Sequence, residues 1–209
     1  MTLCLDIHTH HPVPQPEAVI SLPVENFTPL EGQFYSVGVH PWLTAQPGFE
    51  PDWNLFSTLA ARQEVVAIGE CGIDKTRGGL MFKQINVLNR QIAESEKLKK
   101  PLILHDVKAH DIIVGLRRES NVTQNWAVHG FRGKPTVAKM LTDAGISLSF
   151  GEKFNPEALA TVPLNMILAE TDESPLSIEE IIENLSRAMN KDMKPVIIEN
   201  TKRFLFNLK

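Results

Sequence analysis

Eight short apolar runs, four of them ending in an acidic or imidazole side chain, limit what this chain can fold into. They are Leu3–Ile7, Ala18–Leu22, Phe34–Val39, Val65–Glu70, Pro101–His105, Trp126–His129, Ile146–Phe150 and Met166–Glu170. Several are separated by segments of helical period. Met81–Lys99 places Met81, Ile85, Leu88 and Ile92 on one face. Asp52–Arg62, Ala109–Glu119 and Pro135–Ala144 read as shorter helices, the last closed by Gly145. Ser177 with Glu180 forms a capping box that opens Ser177–Asn190, and Pro195–Asn207 reads as a final helix. Runs that are nearly continuously apolar suit parallel strands buried on both faces. Eight of them alternating with helices predict a (β/α)8 TIM-type barrel, built from residues 1–209 as a single domain. At 209 residues the chain is near the lower limit for that fold. Pro12–Gln33 carries five prolines and has room only for a short second strand, so distortion is expected around strand two.

Composition narrows the class. Hydrophobic residues make up 43% and charged residues 22%, enough for a real core, and the formal net charge of −4 argues against a generally basic nucleic-acid coat. The two cysteines, Cys4 and Cys71, form no paired motif, which fits a reducing compartment. The N-terminus lacks a basic stretch followed by a long apolar run, and no segment approaches the roughly 18 apolar residues of a membrane span. The expectation is a cytoplasmic protein without secretory leader or membrane partner. Nothing reads as an interface stripe, so a monomer is compatible and the oligomeric state is open.

The polar ends of the runs carry the chemistry. In a strand, residues two apart share a face, so Asp6, His8 and His10 of "DIHTH" project together. Glu70 ends strand four, His105 strand five and His129 strand six. Glu170 and Asp172 follow strand eight. Barrel enzymes keep their active sites at this end of the strands. Burying so many ionisable groups without a cation is costly, and one or two divalent metals resolve it. Imidazoles with carboxylates suit Zn²⁺, Mn²⁺ or Fe²⁺ better than Ca²⁺.

These segments, in this order, resemble the TatD-type metal-dependent deoxyribonucleases of the amidohydrolase-like barrels. The matching pieces are "DIHTH", "VGVHP", "GECGID", "PLILH", "AVHGF" and "ETD", with "ENTKRFLF" resembling the closing helix around Asn200. The resemblance implies two divalent ions (Zn, Mn, Mg or Fe). His8, His10 and Asp172 would hold one, His105 and His129 the other, and Glu70 would bridge them. Asp172 would also orient or deprotonate the attacking water. The implied reaction is hydrolysis of a phosphate ester in DNA or in a smaller phosphorylated compound. His40 of "VGVHP" would shape the pocket or touch substrate. Asp6 is expected to hold a ligand imidazole in one tautomer, and Glu170 to support the ligands without being one.

The chain departs from the pattern in three places. Val107, followed by Lys108, stands where the family usually has an arginine, so a bidentate phosphate fork is replaced by a point charge. The loop after Asp172 is short, as is the strand-two segment. Against these losses, Lys75, Arg77, Lys108, Arg132, Lys134 and Lys153 all follow strand ends and would ring the barrel mouth with positive charge. Arg132 and Lys108 are the expected substrate contacts. Two other readings stay open at this point. One is an amidohydrolase acting on a non-phosphate substrate, although such barrels often use a lysine where Glu70 stands. The other is a metal-binding barrel without catalysis.

Overall fold

The computed structural model describes residues 5–11 and 17–207. Eight parallel strands close into a barrel in sequence order: β1 (Asp6–Thr9), β2 (Ala18–Pro23), β3 (Phe34–Gly38), β4 (Val65–Asp74), β5 (Leu102–Val107), β6 (Trp126–Val128), β7 (Ile146–Phe150) and β8 (Ile167–Ala169). β1 pairs with β8 and completes the ring. The helices are α1 (Trp53–Ala60), α2 (Met81–Leu98), α3 (His110–Glu119), α4 (Pro135–Asp143), α5 (Pro156–Thr161), α6 (Ile178–Met189) and α7 (Lys194–Phe206). The barrel expected from the alternation of runs is the barrel observed. Its apolar core lies where strands meet helices, with Phe56, Leu88, Trp126, Leu141 and Leu185 all buried.

The expected distortion is at strand two. The β1–β2 register slips between Asp6 and Thr9, and β2 is followed by a single 3₁₀ turn, Val24–Asn26, instead of a helix. The first strand lies later than the run Leu3–Ile7, because its ladder runs through the His8 segment; residues 1–4, and so Cys4, lie outside the described residues. β4 continues past Glu70 to Asp74. α5 has no counterpart among the expected helices. It is a six-residue helix capped by the Asn155 side chain with Pro156 at its first position, too short to show a period.

α2 buries Leu88 and Ile92 as its apolar spacing suggests, but its buried stripe is rotated toward two glutamines. Met81 and Ile85 are only half-buried, whereas Gln84 and Gln91 are fully buried. Both glutamines serve as surrogate strand partners. Gln91 accepts the Val39 amide at 2.7 Å and donates to the Val39 carbonyl at 3.1 Å, at the end of β3. Gln84 accepts the Asp74 amide at 2.9 Å and donates to the Asp74 carbonyl at 3.2 Å. A buried strand end without such partners would leave peptide groups unpaired. One helix thereby fixes the two strand ends that carry His40 and Asp74. At β8, Asn200 of α7 donates to the carbonyls of Leu164 and Ile167 at 2.6 and 2.8 Å and fixes where that strand begins.

Candidate metal centre

Four imidazoles and two carboxylates converge at the C-terminal end of the barrel. Glu70 is at their centre and is buried to 8% exposure. Its Oε1 lies 2.6 Å from His105 Nδ1 and 2.7 Å from His129 Nε2. Its Oε2 lies 3.6 Å from His8 Nε2 and 3.5 Å from His10 Nε2. The two carboxylate oxygens thus face different imidazoles, Oε2 those of His8 and His10, Oε1 those of His105, His129 and also His40 at 3.1 Å. Asp172 Oδ1 is 3.8 Å from both His8 Nε2 and His10 Nε2.

The backbone explains how Asp172 gets there. Its amide donates to the His8 carbonyl at 2.9 Å, and the His10 amide donates to its own carbonyl at 3.1 Å. That extension of the β1–β8 ladder holds Asp172 at φ +54°, a left-handed conformation that residues with a Cβ adopt rarely and that concentrates at functional sites. Asp6 locks the same corner. Its Oδ1 accepts the amides of His8 and Thr171, both at 3.1 Å, and its Oδ2 accepts the Thr171 hydroxyl at 2.7 Å. Asp6 thus braces the main chain that carries His8; among the described residues no hydrogen bond reaches the His8 ring.

The donor set fits a divalent cation. His8 is wholly buried, yet among the described residues neither of its ring nitrogens has a hydrogen-bond partner, a costly state for an imidazole in the interior. Its separations of 3.6 Å from Glu70 and 3.8 Å from Asp172 are too long for hydrogen bonds. They match the spacing of ligands that share one ion at about 2 Å each. His8, His10 and Asp172 form one group that could hold a cation, and His8, Glu70 and His129 another. Among the protein's own groups, burial drives the His8 imidazole well below its ordinary range. Burial also opposes charge on Glu70 and His129, but their mutual attraction wins. Glu70 is held well below the usual carboxylate range and His129 well above the usual imidazole range.

The outer partners are partly those expected. Glu170 is fully buried, accepts the Gly130 amide at 2.5 Å and places Oε1 at 3.5 Å from His129 Nδ1, on the side of the ring away from Glu70. His105 has an equivalent partner in Asp74, whose Oδ2 lies 3.3 Å from His105 Nε2. Asp74 is missing from the sequence reading, although "GECGID" contains it. Asp74 also accepts the Trp42 indole N–H at 2.7 Å. His40 is at the site as expected. Its Nδ1 accepts the Trp42 amide at 3.2 Å, so the proton is on Nε2, which donates to Glu70 Oε1 at 3.1 Å.

These groups floor a cavity of about 430 Å³, whose other wall is Leu22, Pro23, Trp42 and Leu43. A second cavity of about 320 Å³ adjoins it at Asp172 and is lined by Gly130, Arg132, Lys153 and Glu170. Arg132 is exposed and lies in that second cavity. Lys108 is exposed at φ +57° and lines neither. The expected cationic ring is thinner than the sequence suggests. Lys75 is paired with Asp111 at 2.9 Å, and Arg77 lies over the Trp42 ring at 3.8 Å.

The family model for TatD related DNase matches residues 26–206. The chain belongs to this TatD family. A metal-dependent hydrolase of Buchnera aphidicola (subspecies Baizongia pistaciae) is 31% identical over 90% of the chain and 82% of its own length. YjjV of Escherichia coli, also a metal-dependent hydrolase by name, is 29% identical over 71% of the chain and 60% of its own length. The 3'-5' ssDNA/RNA exonuclease TatD of Erwinia billingiae is 30% identical over 66% of the chain, which spans 56% of that protein. The crystal structure of E. coli YjjV superposes with a TM-score of 0.80 at 21% identity, covering 100% of this chain and 99% of that one, which shows a shared fold. In this TatD-family chain no helix among the described residues is long and apolar enough to cross a membrane.

Proposed function

We propose that the chain is a metal-dependent phosphodiesterase that cleaves ester bonds in DNA or in a shorter phosphorylated substrate. The observation that carries the reading is the division of Glu70, one oxygen toward His105 and His129 and the other toward His8 and His10. In this reading His8, His10 and Asp172 hold one divalent ion (Zn, Mn, Mg or Fe), His105 and His129 hold a second, and Glu70 lies between them. Two bound ions supply Lewis acidity to a phosphoryl oxygen and lower the pKa of water.

The chain's own residues do the rest. Asp172, half-buried beside the His8–His10 pair, orients the attacking water and accepts its proton as the new phosphorus–oxygen bond forms and the leaving alcohol departs. Asp74 holds the outer nitrogen of His105 and fixes that ring's orientation, while Glu170 sets a negative charge 3.5 Å from the outer nitrogen of His129. Arg132, with no acidic partner among the described residues, offers a fork of donors to the substrate phosphate from the adjoining cavity. The named nuclease activity of the Erwinia relative agrees with a nucleic-acid substrate.

The test is hydrolysis by the chelator-stripped chain with Mn²⁺, Zn²⁺ or Mg²⁺ added back, on single-stranded DNA and on bis(p-nitrophenyl) phosphate. Turnover that appears only with a cation supports the reading. Absence of turnover with every cation and both substrates contradicts it. A second expectation concerns the partner that sequence reading missed. Asp74→Asn weakens metal binding roughly 10–100-fold, measured by competition with a chromophoric chelator. An unchanged affinity would mean that Asp74 serves Trp42 alone.

A further inference from the structure

The cavity over Glu70 has two unlike walls. One is the imidazole and carboxylate wall described above. The other is apolar: Leu22 and Pro23 from the end of β2, and Trp42 and Leu43 from the 3₁₀ turn Pro41–Ala45 that follows β3. Trp42 is 38% exposed. An indole left open to solvent usually swings between rotamers, but this one is held on three sides. Its backbone amide is bonded to His40 Nδ1 at 3.2 Å. Its Nε1–H donates to Asp74 Oδ2 at 2.7 Å. The Arg77 guanidinium lies over the ring at 3.8 Å, a cation–π contact that fixes the ring plane. Asp74 is itself immobilised by the amides of Thr76 and Arg77, at 2.7 and 2.9 Å.

A rigid aromatic surface open to a cavity suits a planar ligand, because little freedom is lost when the ligand stacks on it. The position of the surface matters as much as its shape. A phosphate reacting at the Glu70 wall has its ester substituent within the same cavity, facing the apolar wall. The cation nearest that wall, Arg77, is engaged with the indole ring. The wall offers a flat, apolar contact, and stacking on such a contact is how single-stranded nucleic acids are held irrespective of sequence.

We propose that Trp42, clamped by Arg77 and Asp74 and flanked by Leu22, Pro23 and Leu43, seats the nucleobase of the nucleotide joined to the reacting phosphate. The proposal rests on the phosphodiesterase reading and adds a requirement to it: the substrate carries a base beside the bond, not only a phosphate. Trp42 is also tied to the metal centre. The Asp74 oxygen that accepts its indole N–H is the one facing His105 Nε2, so one carboxylate braces both the base platform and a metal-facing ring.

The test compares a thymidine trinucleotide with its counterpart carrying abasic sugars, by steady-state hydrolysis with the Mn²⁺-loaded full chain. The unaltered chain is expected to prefer the base-bearing substrate roughly tenfold in kcat/KM, mostly through KM. Trp42→Phe keeps an aromatic face and retains most of the preference, whereas its lost N–H lowers kcat. Trp42→Leu brings the preference close to unity. Equal kcat/KM for the two substrates in the unaltered chain overturns the proposal, and so does a preference that survives Trp42→Leu. The first comparison needs no variant and so does not depend on folding of the mutants. Binding of fluorescently labelled forms of both ligands, followed by anisotropy, separates the two ideas. Tighter binding of the thymidine form without hydrolysis sinks the phosphodiesterase reading and keeps the base platform. Hydrolysis of both at equal efficiency does the reverse. Neither hydrolysis nor selective binding sinks both.

Discussion

Glu70→Gln is expected to lower kcat/KM for a phosphodiester substrate by about 10³-fold while leaving the circular dichroism spectrum unchanged. Glutamine keeps the shape of the side chain and removes its charge. One of its two terminal atoms becomes an NH2 group, which carries no negative charge for a cation and cannot accept a proton from the imidazoles it faces. The substitution therefore loses attraction for cations on both sides of the site at once. About 10³-fold corresponds to roughly 4 kcal/mol of transition-state stabilisation. Steady-state kinetics with saturating Mn²⁺ check it. A loss of tenfold or less would mean that Glu70 organises the imidazoles without lying between two ions.

Gly72→Ala is expected to destabilise the fold by about 3 kcal/mol or more, among the larger effects of any single methyl in this chain. Gly72 is in β4 at φ +143° and pairs with His105 of β5. A Cβ at this position would stand 2.0 Å from the His105 carbonyl oxygen and 2.9 Å from its carbonyl carbon and amide nitrogen. These are backbone atoms of a neighbouring strand and cannot swing aside as a flexible side chain does. β5 must shift, and His105 moves with it. The melting temperature should fall by roughly 6–12 °C, at about 2–4 °C per kcal/mol for a domain of this size. Gly115→Ala is the matched control. Gly115 is inside α3, its added Cβ meets nothing within 4 Å, and alanine is the better helix former, so the melting temperature should rise slightly. Calorimetric scans of both variants decide the point; a Gly72→Ala protein as stable as the parent would show that β5 yields at little cost.

The barrel was legible in the sequence because parallel strands buried on both faces write themselves as unbroken apolar runs. Leu102, Ile103 and Leu104 are all fully buried, and the run that names them is the strand. The residues of the metal centre were legible for a related reason. Each of His105 and His129 comes at or just past the point where an apolar strand ends. What escaped depends on contacts between distant segments. Asp74 acquires its role from Trp42 and His105, 32 and 31 positions away, and no local spacing announces either contact. On α2 the buried Leu88 and Ile92 were legible and the buried glutamines were not, since Gln84 and Gln91 are inside because the ends of β3 and β4 take hydrogen-bond partners there. Asp6 stands where the spacing of "DIHTH" puts it, beside the first histidine. It holds the peptide groups of His8 and Thr171, which a residue pattern does not distinguish from holding a ring. The cationic ring is thinner than the sequence suggests, because Lys75 has its own carboxylate and Arg77 its own indole, while Arg132 and Lys153 line the cavity beside Asp172.

The central claim is that Glu70 stands between two cation positions, and counting ions tests it most directly. Chelator-stripped chain is dialysed to equilibrium against Mn²⁺, and bound metal is measured by atomic emission for the parent and for Glu70→Gln. The account predicts two ions per chain in the parent and a loss of at least one in the variant. A parent that binds a single ion, or a variant that keeps the parent's full complement, would contradict it.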